Sequence, residues 1–539
     1  MANLKVSNCM IADIISEVKS GQTKIPQFQR KYVWAVNDCA KLMDSILKGY
    51  PVGSLIYWKT KEHLRSVRNV GNISFPNAPT DDFVYYVLDG QQRITSIIAS
   101  INGETVNGED YSKIYVNLLA TEEDDIVTTN VDGLAETDYI SLKELTTASI
   151  MSVVGKYGAS GHIEKISSYK DRISQYPFSK IELTDATIDV ATEVFTRINT
   201  SGKSLSIFEI MCAKMYSESP SFDLYEKRET QRAKWQMASY ETISDATVLQ
   251  AMGVCIDKSC KGKDILGLDK SKFISEWDKV DAAFDLTIDY FKNSYNVPVS
   301  KLMPYDALIV PFVYYFYKTG VRPSGNAQKY LQDYFWRSTF SERFTEGAVS
   351  KINQDITDVI DVILGGNQPT YSHGVVITPN SITREGYFTT GSAYVKGILC
   401  ILCAQRPVSF MDGHQVTIDN SWLSQGNSKN YHHFFPKAYM SKHQPLIPEA
   451  MVNHVVNIAI VDGWLNKSQI KDKAPSVYMA NYIAINSNID QHMKTHFIDD
   501  LTQFGVLSDD YNVFFAKRLE AIHKAMVALL VPTKDDVLS

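Results

Sequence analysis

The segment FVYYVLDGQQRITSIIASING, residues 83–103, changes its hydrophobic period in mid-course. From Phe83 to Leu88 every residue is aromatic, β-branched or aliphatic, the composition of a buried strand. After Asp89-Gly90 the apolar residues Ile94, Ile97, Ile98 and Ile101 return at three- and four-residue intervals, which is the spacing of one helix face. A strand that turns through Asp-Gly directly into a helix is the unit of an α/β domain.

The neighbouring sequence repeats this alternation. GSLIYW (53–58) and KIYVNLL (113–119) read as strands, and DCAKLMDSILKG (38–49) reads as a helix. From about Ser206 to about residue 400 the pattern becomes mainly helical and rich in Tyr and Phe, as in DALIVPFVYYFYKTG (306–320). Such an aromatic stripe is read as helix-packing core rather than a cofactor box. Loops bearing Gly, Asn and Pro around 365–380 and 424–430 set off the tail, and neither an internal repeat nor a low-complexity segment is present. The expected fold class is α+β: an α/β N-terminal domain over 1–205, a helical middle region over 206–400, and a C-terminal module embedded in helices over 401–539.

Composition bounds the class. With 539 residues, 44% hydrophobic and 21% charged, the chain resembles a globular protein, and no apolar run approaches a membrane span. No charged-then-apolar leader opens the sequence, so a cytoplasmic location is expected. Of seven cysteines, Cys400 and Cys403 form a C-x-x-C inside VKGILCILCA, but no second pair completes a zinc knot, and reduced core thiols are the better reading. The net charge of -7 gives no global nucleic-acid signal. Charge is uneven, however: ten Lys/Arg against three Asp/Glu lie between Lys19 and Arg68, and Glu122 to Asp138 is acidic.

Three N-terminal segments carry chemistry that suits anions. In IPQFQRKYVW (25–34), Gln29 and Arg30 are interleaved with aromatic residues, and Arg30 offers a planar fork for phosphate. In Asp89-Gly90-Gln91-Gln92-Arg93 a helix start brings outward N–H groups and a guanidinium together; the plainer alternative is an N-cap by Asp89 with Arg93 on the surface. In VFTRINTSGKSLS (194–206), Gly202-Lys203-Ser204 is not a P-loop, because the opening glycine position is Arg197. Arg197, Asn199 and Lys203 can still bind an oxyanion, and Ser206 with Glu209 forms a capping box for the next helix.

In this order the three segments resemble the DUF262 family, whose members share IPxFQRxYxW, DGQQR and a later RxNxxGxxL element. The resemblance spans roughly residues 10–215. It implies a ParB/sulfiredoxin-like fold and a link, in GmrSD-type type IV restriction systems, to nucleotide hydrolysis and sensing of modified DNA. It places Asp89, Gly90, Gln91, Gln92 and Arg93 at a nucleotide phosphate site, with Gln29 and Arg30 facing the same pocket.

In the tail, Asn430-Tyr431-His432-His433-Phe434-Phe435-Pro436 is followed by an apolar stretch, Val455 to Val461, spaced to close a hairpin around the histidines. Hydrolysing a phosphodiester needs an imidazole to deprotonate water, a cation to stabilise the leaving oxygen, and a group to orient the imidazole. His433 is the candidate base, His432 a metal ligand, and Asn457 the residue that holds the histidine loop or the base. Asn466 would complete the metal shell, and Lys473 would contact DNA phosphate; His454 competes with Asn457 as a ligand only if it shares its strand face. The set resembles the HNH (ββα-metal) nuclease module, with His in place of a carboxylate at 432 and Phe in place of Ile at 434. The first departure leaves the divalent metal open between Mg²⁺, Mn²⁺ and softer ions.

The combined expectation is a metal-dependent DNA endonuclease of anti-phage restriction type, gated by GTP or ATP binding or hydrolysis. DNA, including modified phage DNA, is its expected partner, with a homo-oligomer or a companion defence protein as further partners and no membrane. The alternative is a nucleotide-gated DNA-binding switch with an inactive HNH module. An RNA-directed toxin has no RNA-reading motif behind it.

Overall fold

A computed structural model describes residues 3–26, 32–62, 64, 69–70, 73–74, 76, 82–106, 108–121, 123–198, 206–218, 220–420, 431–461 and 470–539. The chain divides into two compact units, Met1–Tyr225 and Glu226–Ser539. The stretch expected as a helical middle and the tail from residue 401 thus fall together in the second unit, apart from residues 206–225. Among the described residues no helix is long and apolar enough to cross a membrane.

The first unit is built on a mixed five-stranded sheet. Its strands are β1 (Asn3–Met10), β2 (Thr23–Lys24), β3 (Ser54–Thr60), β4 (Val84–Asp89) and β5 (Pro177–Thr184), in the order β1-β5-β3-β4-β2. β1 runs antiparallel to β5, β5 parallel to β3, β3 antiparallel to β4, and β2 parallel to β4. Side-chain alternation gives the sheet two apolar faces. Leu55, Tyr57 and Val87 point to one face, where helices α1 (Val36–Leu47) and α2 (Gln91–Asn102) bury Leu42, Met43, Ile94, Ile97 and Ile98. Trp58, Val84, Tyr86 and Leu88 point to the other, against Ile188, Ala191 and Phe195 of helix α3 (Ile188–Ile198). The three expected strands, 53–58, 83–88 and 113–119, and both expected helices, 38–49 and 91–103, are present with no boundary shifted by more than two residues, the third strand as Tyr115–Asn117 of a separate three-stranded sheet.

The second unit is mainly helical. Helix α4 (Lys270–Ser294) and helix α5 (Ile309–Thr319) pack together, and every residue from Ile309 to Tyr317 is buried. The rings of Tyr290, Phe291, Phe312 and Phe335 interlock at centroid distances of 4.9 to 6.3 Å, so the aromatic stripe is core. Helix α6 (Ala393–Ala404) buries Cys400 and Cys403, all seven cysteines are free and buried, and the core-thiol reading accounts for them. Within this unit lies a short antiparallel ribbon of β6 (Tyr431–His433) and β7 (Ile458–Ile460), pairing His432 with Ala459 and His433 with Ile458. Helix α6 and helix α7 (Tyr511–Val527) pack against this ribbon or the turn that feeds it.

Candidate active site

In the first unit the Asp-Gly turn leads into α2 without a side-chain cap. The N-cap of α2 is Gly90, at a φ of 96° that favours glycine, and not Asp89. Asp89 instead ends β4 and accepts from Arg93 Nη2 at 2.9 Å, while Arg93 Nη1 donates to the Val52 carbonyl at 2.8 Å. A β-carbon at Gly53, which also has a positive φ of 91°, would lie 2.3 Å from Arg93 Nη1. The guanidinium thus fastens the β3 entry to the start of α2 and has its charge offset by Asp89. Gln91 and Gln92 are buried, and Gln92 Oε1 accepts the Val33 N–H at 3.0 Å. Tyr32 adds a hydroxyl contact to Ser96 at 2.9 Å, so the chain leaving the first motif is docked onto the helix of the second.

The other predicted anion ligands are spread differently. Arg197 is exposed on the last turn of α3, on the opposite sheet face from α2, and pairs with Glu193 at 2.6 Å. Gln29, Arg30, Asn199 and Lys203 lie outside the described residues. Ser206 caps the helix Ile207–Met215 as its sequence requires: its Oγ accepts the Glu209 N–H at 3.2 Å, and its own N–H donates to Glu209 at 2.8 Å.

In the second unit Asn457 is fully buried and organises the loop after the histidines. Its Oδ1 accepts the Phe435 N–H at 2.9 Å, and its Nδ2 donates to the carbonyls of Phe435 and Val452 at 3.0 and 2.9 Å. Its own carbonyl accepts the Phe434 N–H at 2.7 Å. Of the two roles the sequence leaves open for Asn457, holding the loop is the one these bonds perform.

The residue that orients His433 is Asn453. Asn453 Nδ2 donates to the Phe388 carbonyl at 3.3 Å, and the Phe388 N–H donates back to the Asn453 carbonyl at 2.9 Å. This clamp turns Asn453 Oδ1 towards His433 Nε2, 3.0 Å away. An amide oxygen only accepts, so Nε2 carries the hydrogen and Nδ1 keeps its lone pair. Burial, with a smaller opposing effect of the Asn453 bond, lowers the His433 pKa to about 4. The imidazole is therefore neutral at ordinary pH, with Nδ1 as its unprotonated nitrogen.

His432 faces the other side of the strand, as adjacent strand residues do, and is 2% exposed. Its ring lies edge-on to Tyr478 at 5.9 Å, and the Tyr478 hydroxyl donates to the Phe434 carbonyl at 2.6 Å. His454 is spent on structure: its Nδ1 accepts the Val456 N–H and its Nε2 meets the Ile382 carbonyl, each at 3.2 Å. Among the described residues no group of three or more His, Cys, Asp or Glu is arranged to hold a metal. The described donors alone do not make a metal cage; Asn466, the further ligand expected from sequence, lies outside the described residues. Lys473 is exposed, just before the helix Pro475–Ile485.

Sequence reasoning missed two residues here. Asn453 gave no signal, since its role depends on Phe388, 65 positions away. Arg518 did leave one: it occupies a helix face otherwise filled by Tyr511, Phe514, Phe515, Leu519 and Ile522. It is fully buried and donates to the carbonyls of Val456 and His496, and burial brings its pKa down to about 9. It ties α7 to the turn that carries Asn457.

Comparison with known proteins bears on both units. The uncharacterized protein MJ0686 of Methanocaldococcus jannaschii is 22% identical, over 96% of this chain and 98% of the relative, so the likeness runs through the second unit as well as the first. Residues 11–216, nearly all of the first unit, match the family model described as GmrSD restriction endonuclease, N-terminal domain, and over that unit the chain is similar to this domain of restriction enzymes.

Proposed function

We propose that the chain is a metal-dependent DNA endonuclease of restriction and phage-defence type, with a nucleotide-responsive N-terminal unit. One observation carries the reading: a chain similar over residues 11–216 to a restriction endonuclease N-terminal domain also holds a half-buried histidine whose Nε2 is fixed as a donor and whose Nδ1 is left unprotonated. In this role His433 Nδ1 takes the proton of the attacking water, and Asn457 keeps the loop carrying it in place. His432 and Asn466 would hold the divalent ion, which when bound supplies charge stabilisation at the departing oxygen. Lys473 would pair with a DNA phosphate. The nucleoside triphosphate, GTP or ATP, would meet the Asp89–Arg93 turn with Gln29, Arg30, Asn199 and Lys203 around it, while Arg197, expected there from sequence, is on the other sheet face and paired with Glu193.

The second reading, a nucleotide-gated DNA-binding switch with an inactive nuclease module, is favoured by the missing three-donor metal cluster among the described residues. Incubating the full chain with plasmid and with modified phage DNA separates the two, across a series of divalent metals and with or without GTP or ATP. The endonuclease reading expects nicked or linear product that appears with metal and disappears with EDTA. The switch reading expects no product with any metal, and nucleotide binding that is lost in Arg93→Ala.

A further inference from the structure

We propose that a polar cavity beside the histidine ribbon binds the phosphodiester backbone of a nucleic-acid strand. The cavity encloses about 480 Å³ where the C-terminal ends of α4 and α6 meet the stretch Gln415–Ile418. Lys292 and Arg406 are its cations, Asn293, Asn296, Gln415 and Thr417 add polar groups, and no carboxylate lines it among the described residues. In a chain of net charge -7, a wall whose described residues include two cations and no carboxylate favours an anion.

The backbone at Arg406 is the more telling observation. Arg406 follows the last turn of α6, its N–H donating to the Cys403 carbonyl at 2.9 Å, and it sits at a φ of 51°. That position after a helix is normally glycine, because a β-carbon costs about 1–2 kcal/mol there. Arg406 is exposed, and no side-chain hydrogen bond or ion pair compensates it among the described residues. A long cation therefore occupies a place where glycine would serve the fold better. Lys292, by contrast, is steadied by the Ala238 carbonyl at 2.9 Å, which fixes its ammonium at the wall. Both cations also face the negative end of a helix dipole, but each dipole end amounts to only about half a charge, so the wall stays positive.

Position relates the cavity to the candidate centre. Cys403 lines the cavity, and α6 packs on β7. A strand lying in the cavity would thus run next to the ribbon that presents His433.

The inference rests on the reading of Glu226–Ser539 as a unit that acts on DNA. The test is fluorescence anisotropy of a labelled duplex with the full chain in EDTA, as a function of salt, for Lys292→Gln/Arg406→Gln and for Arg406→Gly. The double variant is expected to bind at least about tenfold more weakly, with a salt slope shallower by about two. Arg406→Gly is expected to melt at the same or a higher temperature and yet bind about threefold more weakly, a split that a purely structural Arg406 would not produce. Unchanged affinity and slope in both variants would overturn the cavity assignment alone; wild-type protein with no DNA affinity would overturn the DNA-acting reading beneath it. Inorganic phosphate is titrated in parallel. Phosphate binding lost in the double variant, with DNA affinity intact, would assign the cavity to a small anion and overturn the strand reading.

Discussion

Changing His433 to alanine is expected to lower the rate of DNA cleavage by roughly 10²–10⁴-fold, the usual contribution of a positioned general base. The second unit should stay folded, because the loop at Phe434–Phe435 is held by Asn457 and not by the histidine. Asn453→Ala should cost less, about tenfold, since the imidazole survives but its tautomer is no longer fixed. Asn453→Asp supplies the sharper check. A carboxylate against Nε2 favours the charged imidazole, so the acidic limb of the rate profile should move up by about one or two pH units from its wild-type position near pH 4. Single-turnover rates against pH, at saturating metal, read all three variants. Cleavage by His433→Ala at the wild-type rate would sink the assignment.

The second large effect is on stability in acid. Burial lowers His433, His454 and His496 from the ordinary value of 6.5 to about 4. His496 Nε2 meets the Val408 carbonyl at 2.8 Å and His454 Nε2 the Ile382 carbonyl, bonds that the neutral rings already satisfy. Between pH 6.5 and 4 the unfolded chain takes up protons that the folded chain refuses. Stability is therefore undiminished above pH 6.5 and falls as the pH drops, by on the order of 3 kcal/mol per histidine by pH 4. Three such groups together rival the whole stability of an ordinary domain, about 5–15 kcal/mol. Urea midpoints measured at about pH 7 and about pH 5 should differ strongly, and His496→Gln should flatten that difference. A pH-independent midpoint over this window would mean the rings are charged or exposed.

The N-terminal fold was legible because its information is local. The period change at Asp89-Gly90, the apolar runs of β3 and β4, and the Ser206–Glu209 box each act within a few residues. What sequence could not convey is how Arg93 is used. Its donors go to Asp89 and to Val52, and the latter contact exists only because the sheet brings β3 beside β4. The tail shows the same division. The spacing of Val455–Val461 from the histidines indicated a ribbon, although Val455–Asn457 forms a 3₁₀ turn and only Ile458–Ile460 pairs. The Asn453 clamp needed Phe388, and the burial of Arg518 needed the carbonyls of His496 and Val456. Such partners lie beyond any window that periodicity can span.

The ribbon of β6 and β7 has only three residues in each strand, too few to be stable by themselves. Its shape is on loan from elsewhere: Gly386 receives the Val455 N–H, Phe388 grips Asn453, and Ile382 seats His454. All three residues that give that support precede residue 401. A recombinant fragment cut at 401 would therefore carry every candidate residue of the centre and none of this scaffolding, and it is expected to be unfolded by circular dichroism. For protein engineering, the histidine centre is not a cassette to be transplanted, and any working graft must begin upstream of Ile382.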